Sequence, residues 1–377
     1  MGQYYLIRVA CCVVAVYILC LSHNLLSNFG PRRYSSPQRT LSKDTLIEKA
    51  NISVGNFFVY SDFYKKCIDG ESKGMNTNSY PLETDESLMD MFRFPWNFVK
   101  NVNRNNVDHF VFAMACSENH YNESRDAIAS TQKFFPDRRI LFYDWGLNPE
   151  QKMEVQGLCG VDCKPFNFSE FPAAASLRGR PLYQAHKIFV IMDAMADNDA
   201  VFWIDTSVRF MSNNLTSAYN KAIESDGIVY FSKTTHSTFA VTHPSTYNFI
   251  PTNLTAQKKL NQLATNAALY YKTRKIFDGV LWWWFLCALR KDCISPTTEM
   301  ICDFGLRDRM LEYAGCHRVD QSVANLLVSN LYGFEIERCL ASLREDGVFK
   351  IKRHPTHYYQ LRQCSESEKF SIGTEAT

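Results

Sequence analysis

The sequence predicts an α/β domain with a mostly parallel, Rossmann-like sheet flanked by helices, and three observations predict it. Short apolar runs end in small or polar residues: D-H-F-V-F-A-M-A-C-S over 108–117, R-R-I-L-F-Y-D over 138–144 and A-V-F-W-I-D over 200–205. Between these runs the apolar residues recur at helical spacing, as in Ala185, Ile188, Ile191, Met192 and Met195. The connections are short, and strand–helix–strand alternation with short connections builds parallel sheets.

The opening strand leads to a helix predicted over 123–135, where Pro136 stops it. A second strand over 138–144 is followed by a helix over 149–157, and F-N-F-S at 166–169 reads as a third strand. The helix predicted over 182–196 runs straight into the strand that closes on Asp205. Farther on, 226–232 and 239–243 read as strands, and 280–289 as a helix carrying W-W-W at 282–284. Three successive tryptophans cannot share one helix face, so core packing and a sugar-stacking platform are both open readings. A last long helix begins near Asp320, with one or two short strands after Gly333. No G-x-G-x-x-G or G-x-x-x-x-G-K-[ST] phosphate loop is present.

The N-terminus addresses the chain to a membrane system. Residues 9–21 read V-A-C-C-V-V-A-V-Y-I-L-C-L without a charge. Extended through the polar Ser22, His23 and Asn24, the run approaches the ~20 residues of a spanning helix. A signal anchor and a cleavable signal peptide are both open readings. On the anchor reading, 1–8 is a cytoplasmic tail, 9–27 the transmembrane helix, 28–50 a Ser-, Pro- and Arg-rich stem, and 51–106 a lumenal extension. The main domain then covers 107–363 and a polar tail 364–377. That reading implies a single-pass type II protein of the Golgi or endoplasmic reticulum, the alternative being secretion.

Two further features agree with a lumenal domain. Five N-x-[ST] sequons stand at Asn51, Asn122, Asn167, Asn214 and Asn253. Of thirteen cysteines, Cys11, Cys12 and Cys20 fall in the apolar run, leaving ten, an even number that suits disulfides in an oxidising compartment. Cys159 and Cys163 have tolerable zinc-ligand spacing but no partner pair. With 41 basic and 39 acidic side chains the net charge is +2, which argues against a nucleic-acid binder.

The chemistry concentrates in V-F-W-I-D-T-S-V-R-F over 201–210. A carboxylate at the end of a buried strand needs a partner: a cation, a donor cluster or a ligand hydroxyl. Ligands of such sheets bind beyond the carboxyl ends of the strands, which singles out Ser117, Asp144 and Asp205. Lys187 lies in the helix before Asp205, preceded by Arg178 and Arg180, and is read either as a diphosphate contact or as a solvated helix charge. Asp144 reads as a ligand contact or as a turn residue before W-G-L-N-P. Asp320, in H-R-V-D-Q-S, reads as a general base or as a helix cap. His317 beside it, and His354 and His357 in R-H-P-T-H-Y-Y, are weaker ligand candidates.

The W-I-D-T-S segment resembles the strand-end D-x-D motif of glycosyltransferases with the GT-A fold. The resemblance extends over about 107–335 to a nematode-expanded domain family with GT-A-like features. It rests on A-C-S-E-N-H-Y, F-Y-D-W-G-L at 142–147, W-I-D-T-S-V-R-F, C-I-S-P and H-R-V-D-Q-S at 317–322. It implies a GT-A-like lumenal domain that transfers a sugar from a nucleotide-diphosphate donor to a glycan or glycoprotein acceptor. Asp144, Lys187, Asp205 and Ser207 would bind the donor, and Asp320 would be catalytic. Asp205 would also ligate Mn2+ or Mg2+, although Ser207 stands where the second carboxylate of the motif belongs. That departure supports the alternative, a catalytically degenerate GT-A-fold membrane or secreted binding protein.

Overall fold

The computed structural model describes residues 82, 86–94, 96–167, 185–344 and 346–364. The apolar segment 9–27, the stem, Asn51, Arg178 and Arg180 lie outside the described residues. Among those described, no helix is long and apolar enough to cross a membrane.

The elements alternate as the periodicity requires. Strand β1 (Val111–Cys116) precedes α1 (Tyr121–Phe134), β2 (Ile140–Asp144), α2 (Pro149–Gln156) and β3 (Val161–Pro165). Helix α3 (His186–Asp197) feeds β4 (Ala200–Ile204), and after a tight turn the chain resumes as β5 (Val208–Phe210). Next come α4 (Thr216–Ser225), β6 (Ile228–Tyr230), β7 (Lys233–Ser237), β8 (Asn261–Leu263) and β9 (Ala267–Tyr271). Helices α5 (Trp282–Ala288) and α6 (Val319–Leu331) and strand β10 (Phe349–Ile351) complete the order. The third strand is Val161–Pro165, not 166–169, because pairing with β2 in register Ile140↔Val161 exhausts the ladder at Pro165. Residues 239–243 are not a strand either; Phe239–Val241 forms a 3-10 turn with Val241 N–H on the Thr238 carbonyl.

Six strands form the central sheet in the order β3-β2-β1-β4-β9-β6. β1 pairs in parallel with both β2 and β4, and β2 in parallel with β3. β9 runs antiparallel between β4 and β6. The fold is thus mixed α/β with a mostly parallel sheet. Period-two alternation splits β1 between two cores. Val111, Ala113 and Ala115 pack with α3, α5 and α6 on one face, while Phe112, Met114 and Cys116 pack with α1 on the other. Fully burying one such side chain stabilises by about 1.5–3 kcal/mol, and all six residues of β1 are buried. The tryptophans divide likewise: Trp282 and Trp284 are core, Trp283 is half-buried.

The cysteines are only partly bridged. Disulfides join Cys159 to Cys364, Cys287 to Cys293 and Cys302 to Cys316, while Cys116, Cys163 and Cys339 are free thiols. Cys159 is therefore no zinc partner for Cys163. Of the sequons, Asn122, Asn167 and Asn214 are exposed; Asn253 is half-buried and its Oδ1 accepts from the Ala256 N–H.

Candidate functional site

The strand order turns around between β1 and β4. The chain leaves β1 through α1 on one face and enters β4 from α3 on the other, and it is at the carboxyl ends of strands at such a reversal that sheets of this kind bind ligands. Asp205 stands at that point. Its N–H donates to the Asn266 carbonyl (2.8 Å), and its own carbonyl accepts from Val208 N–H (3.0 Å) to close the D-T-S turn. Its side chain is 36% exposed, so the carboxylate reaches solvent.

Three of the four charged residues singled out from the sequence meet here. Lys187 Nζ lies 3.3 Å from Asp205 Oδ1 and 2.9 Å from Asp320 Oδ2, and donates to the Thr265 carbonyl at 3.0 Å. Each has a local reason for its place. Lys187 sits in the first turn of α3, where the helix dipole disfavours a cation, so its charge depends on the two carboxylates. Asp320 sits in the first turn of α6, where the dipole favours an anion. Val319 just before it holds a φ of 43°, a strained conformation for a β-branched residue that sets the direction in which α6 begins. Trp203, two residues before Asp205 on the same strand face, donates its Nε1–H to Asp205 Oδ1 (2.8 Å) and turns its ring toward Lys187 Nζ, 5.3 Å from the centroid.

Burial pulls the Lys187 pKa down, but Asp205 and Asp320 outweigh it and the lysine stays charged. Burial raises the Asp320 pKa, opposed by Lys187. Asp320 is 1% exposed, and its Oδ1 has no hydrogen-bond partner among the described residues. The carboxylate expected to face an acceptor is thus enclosed in this structure, 2.9 Å from the Lys187 ammonium. Lys187 in turn is 6% exposed, with its ammonium turned to Asp320, Asp205 and Thr265.

Asp144 is not brought to this group. Its Oδ1 accepts from the N–H groups of Gly146 (2.8 Å) and Leu147 (2.7 Å), and its Oδ2 pairs with Lys152 at 3.3 Å. The carboxylate is consumed in shaping the turn after β2, the reading that Gly146 and Pro149 also favoured. Ser207 is buried, and its carbonyl accepts from Lys352 N–H at 2.8 Å. His317 is a buried core group: one ring nitrogen bonds the Ile294 carbonyl, the other accepts from His243 N–H, and burial lowers its pKa to about 4. His354 and His357 are exposed, His357 beside Asp126 on α1.

Sequence reasoning missed Thr265, Trp203 and Arg318. Arg318, just before α6, feels both the Asp320 charge and the opposing charge of Arg353; its Nε is buried without a hydrogen-bond partner among the described residues. The backbone N–H of Lys352, next to Arg353, donates to the Ser207 carbonyl. The W-x-D spacing could have revealed Trp203 through strand periodicity. Nothing local marks Thr265 or the 318–353 approach, which depend on chain reversals.

The donor set does not fit the expected Mn2+ or Mg2+. Such an ion is held through one or two carboxylates together with substrate phosphates and waters, whereas here the one reachable carboxylate already faces an ammonium at 3.3 Å and serine stands at 207. Among the described residues no three Asp, Glu, His or Cys side chains are grouped to hold an ion. A separate cavity of about 240 Å3 at the ends of β2 and β3 includes Tyr143, Lys164 and Asp193. There Asp193 is already bonded to Tyr143 (2.5 Å) and paired with Lys164 (3.4 Å) and Arg93 (3.2 Å).

Residues 56–178 match the family model described as a protein of unknown function (DUF1647). That match shares only 107–178 with the stretch over which the sequence resemblance was drawn. No curated protein matches the chain. Among solved structures, the chain is similar to the galactosyltransferase LgtC in complex with donor and acceptor sugar analogs, at 15% identity over 57% of this chain and 69% of that one, with a TM-score of 0.34. It is similar to mouse xyloside xylosyltransferase 1 at 10% identity over 69% and 98%, TM-score 0.35. For the bifunctional glycosyltransferase WbbM the identity is 11% over 64% and 52%, TM-score 0.34.

Proposed function

We propose that the chain is a glycosyltransferase that takes a sugar from a nucleotide-diphosphate donor to a glycan or glycoprotein acceptor. The observation that carries this reading is the solvent-reaching Asp205 carboxylate at the end of β4, paired with the buried Lys187 ammonium, with Arg318 within charge range of Asp320 beside them. A carboxylate accepts from sugar or ribose hydroxyls, and a cluster of cations takes a diphosphate. In the transfer, the acceptor oxygen bonds to the anomeric carbon as the bond to the diphosphate breaks. The nucleoside diphosphate leaves with the electron pair. The acceptor's proton passes to the departing phosphate oxygen, since Asp320 is closed to it. The protein's contribution is then position and charge at the leaving group.

The same enclosure of Asp320 favours the second reading, a binding protein that holds the nucleotide-sugar without transferring it. Calorimetric titration of the purified full chain with UDP- and GDP-sugars, alongside an assay of donor hydrolysis, separates the two. Asp205→Ala is expected to weaken donor binding at least about tenfold, close to 1.4 kcal/mol, with the fold retained. Unchanged affinity in that variant rejects the assignment; binding with no turnover on any acceptor selects the binding protein.

A further inference from the structure

Asp205 stands where a dication is expected, yet its surroundings already contain a cation. An ammonium has three hydrogens, and Lys187 Nζ has four acceptors around it: Asp320 Oδ2 at 2.9 Å, the Thr265 carbonyl at 3.0 Å, Asp205 Oδ1 at 3.3 Å and Thr265 Oγ1 at 3.4 Å. The Trp203 ring adds a π face on the same nitrogen. The charge is thus held from several directions by a side chain that is itself buried. A magnesium ion approaching Oδ1 would have to sit about 2.0–2.1 Å from it, against the field of this ammonium. It would find Trp203 Nε1–H already on the same oxygen, serine at position 207, and the second carboxylate enclosed beneath the lysine.

We propose that Lys187 is a built-in replacement for a divalent cation, so that Asp205 accepts hydroxyl hydrogens through its remaining oxygen and ligand binding at this site is independent of metal. The exclusion of metal stands on the geometry alone; the identity of the ligand rests on the nucleotide-diphosphate reading above. The positive charge that a metal would bring to a diphosphate falls to Lys187 and to Arg318, which feels the Asp320 charge.

The test has two arms on the purified full chain. Electron paramagnetic resonance of added Mn2+ is expected to show no ion whose binding depends on Asp205. One equivalent bound by the wild type and lost in Asp205→Asn overturns the proposal. In the second arm UDP and GDP are titrated in chelator and again with Mn2+, and each affinity is expected to agree within roughly threefold, under 1 kcal/mol. A gain of tenfold or more with Mn2+, abolished in Asp205→Asn, also overturns it. If neither nucleotide binds in either buffer, the nucleotide-diphosphate reading fails, and the first arm still decides whether Asp205 is a metal site.

Discussion

At the scale of single residues, the buried charge cluster makes the sharpest demands. Lys187→Met would leave Asp205 and Asp320 facing one another without a counter-charge, and removing one partner of a buried pair costs about 3–5 kcal/mol. Adding Asp320→Asn should recover part of that loss, because a neutral amide needs no cation. Urea denaturation of both single variants and the double variant measures the coupling, and strictly additive losses would contradict the pairing. A second demand concerns pH. Burial holds His317 at about 4, below its ordinary 6.5, and His186 likewise. Between those values the unfolded chain binds more protons, so their contribution is complete above pH 6.5 and lost as pH falls through 4. Asp320, raised by burial, works the other way: its contribution is present below its ordinary value and lost as pH rises through the raised one. His317→Gln should flatten the acid slope of unfolding midpoints between pH 7 and 4.5.

At the scale of elements, the strand ends and helix starts carry the local instructions. Helix α2 begins with a complete capping box: Asn148 Oδ1 accepts from Gln151 N–H at 3.0 Å, and Gln151 Oε1 accepts from Asn148 N–H at 3.2 Å. Pro149 occupies the first turn, where its missing N–H is harmless. Asn148→Ala should cost about 1 kcal/mol, read as a lower thermal midpoint. Helix starts, the D-T-S turn and the β1, β2 and β4 strands were legible in the sequence because their signals are local: apolar runs, caps, proline and glycine. Strand β9 was not. Its A-A-L-Y-Y run is short, and it becomes a strand by pairing with β4 and β6 on both sides, a condition set by residues far away in the chain.

At the scale of the whole molecule, cross-links between distant segments fix the outer strands. The Cys159–Cys364 disulfide closes 205 residues, ties the start of β3 to the chain after β10, and is reinforced by Cys159 N–H on the Arg362 carbonyl. Cys287–Cys293 closes only 6. Loop-closure entropy ranks them at about 5 and about 2 kcal/mol. Cys364→Ser should therefore lower stability more than Cys293→Ser in guanidinium titrations. Asp126 adds a second tie between α1 and the late chain, accepting from Thr356 Oγ1 at 3.1 Å and His357 N–H at 3.1 Å.

The sequence by itself determined the alternation of strands and helices, the closure of β4 on an acidic residue and the absence of a second carboxylate at Ser207. Each follows from patterns a few residues long, where propensity, periodicity and turn chemistry act. Only the tertiary structure decided what the acidic residues do. Lys187, Asp205, Thr265 and Asp320 meet across a folded sheet, and a carboxylate's role depends on the dielectric and the partners around it. Asp144 and Asp320 carry the same chemical group as Asp205; contacts assembled from distant parts of the chain make one a turn, one a clamp and one a reachable acceptor.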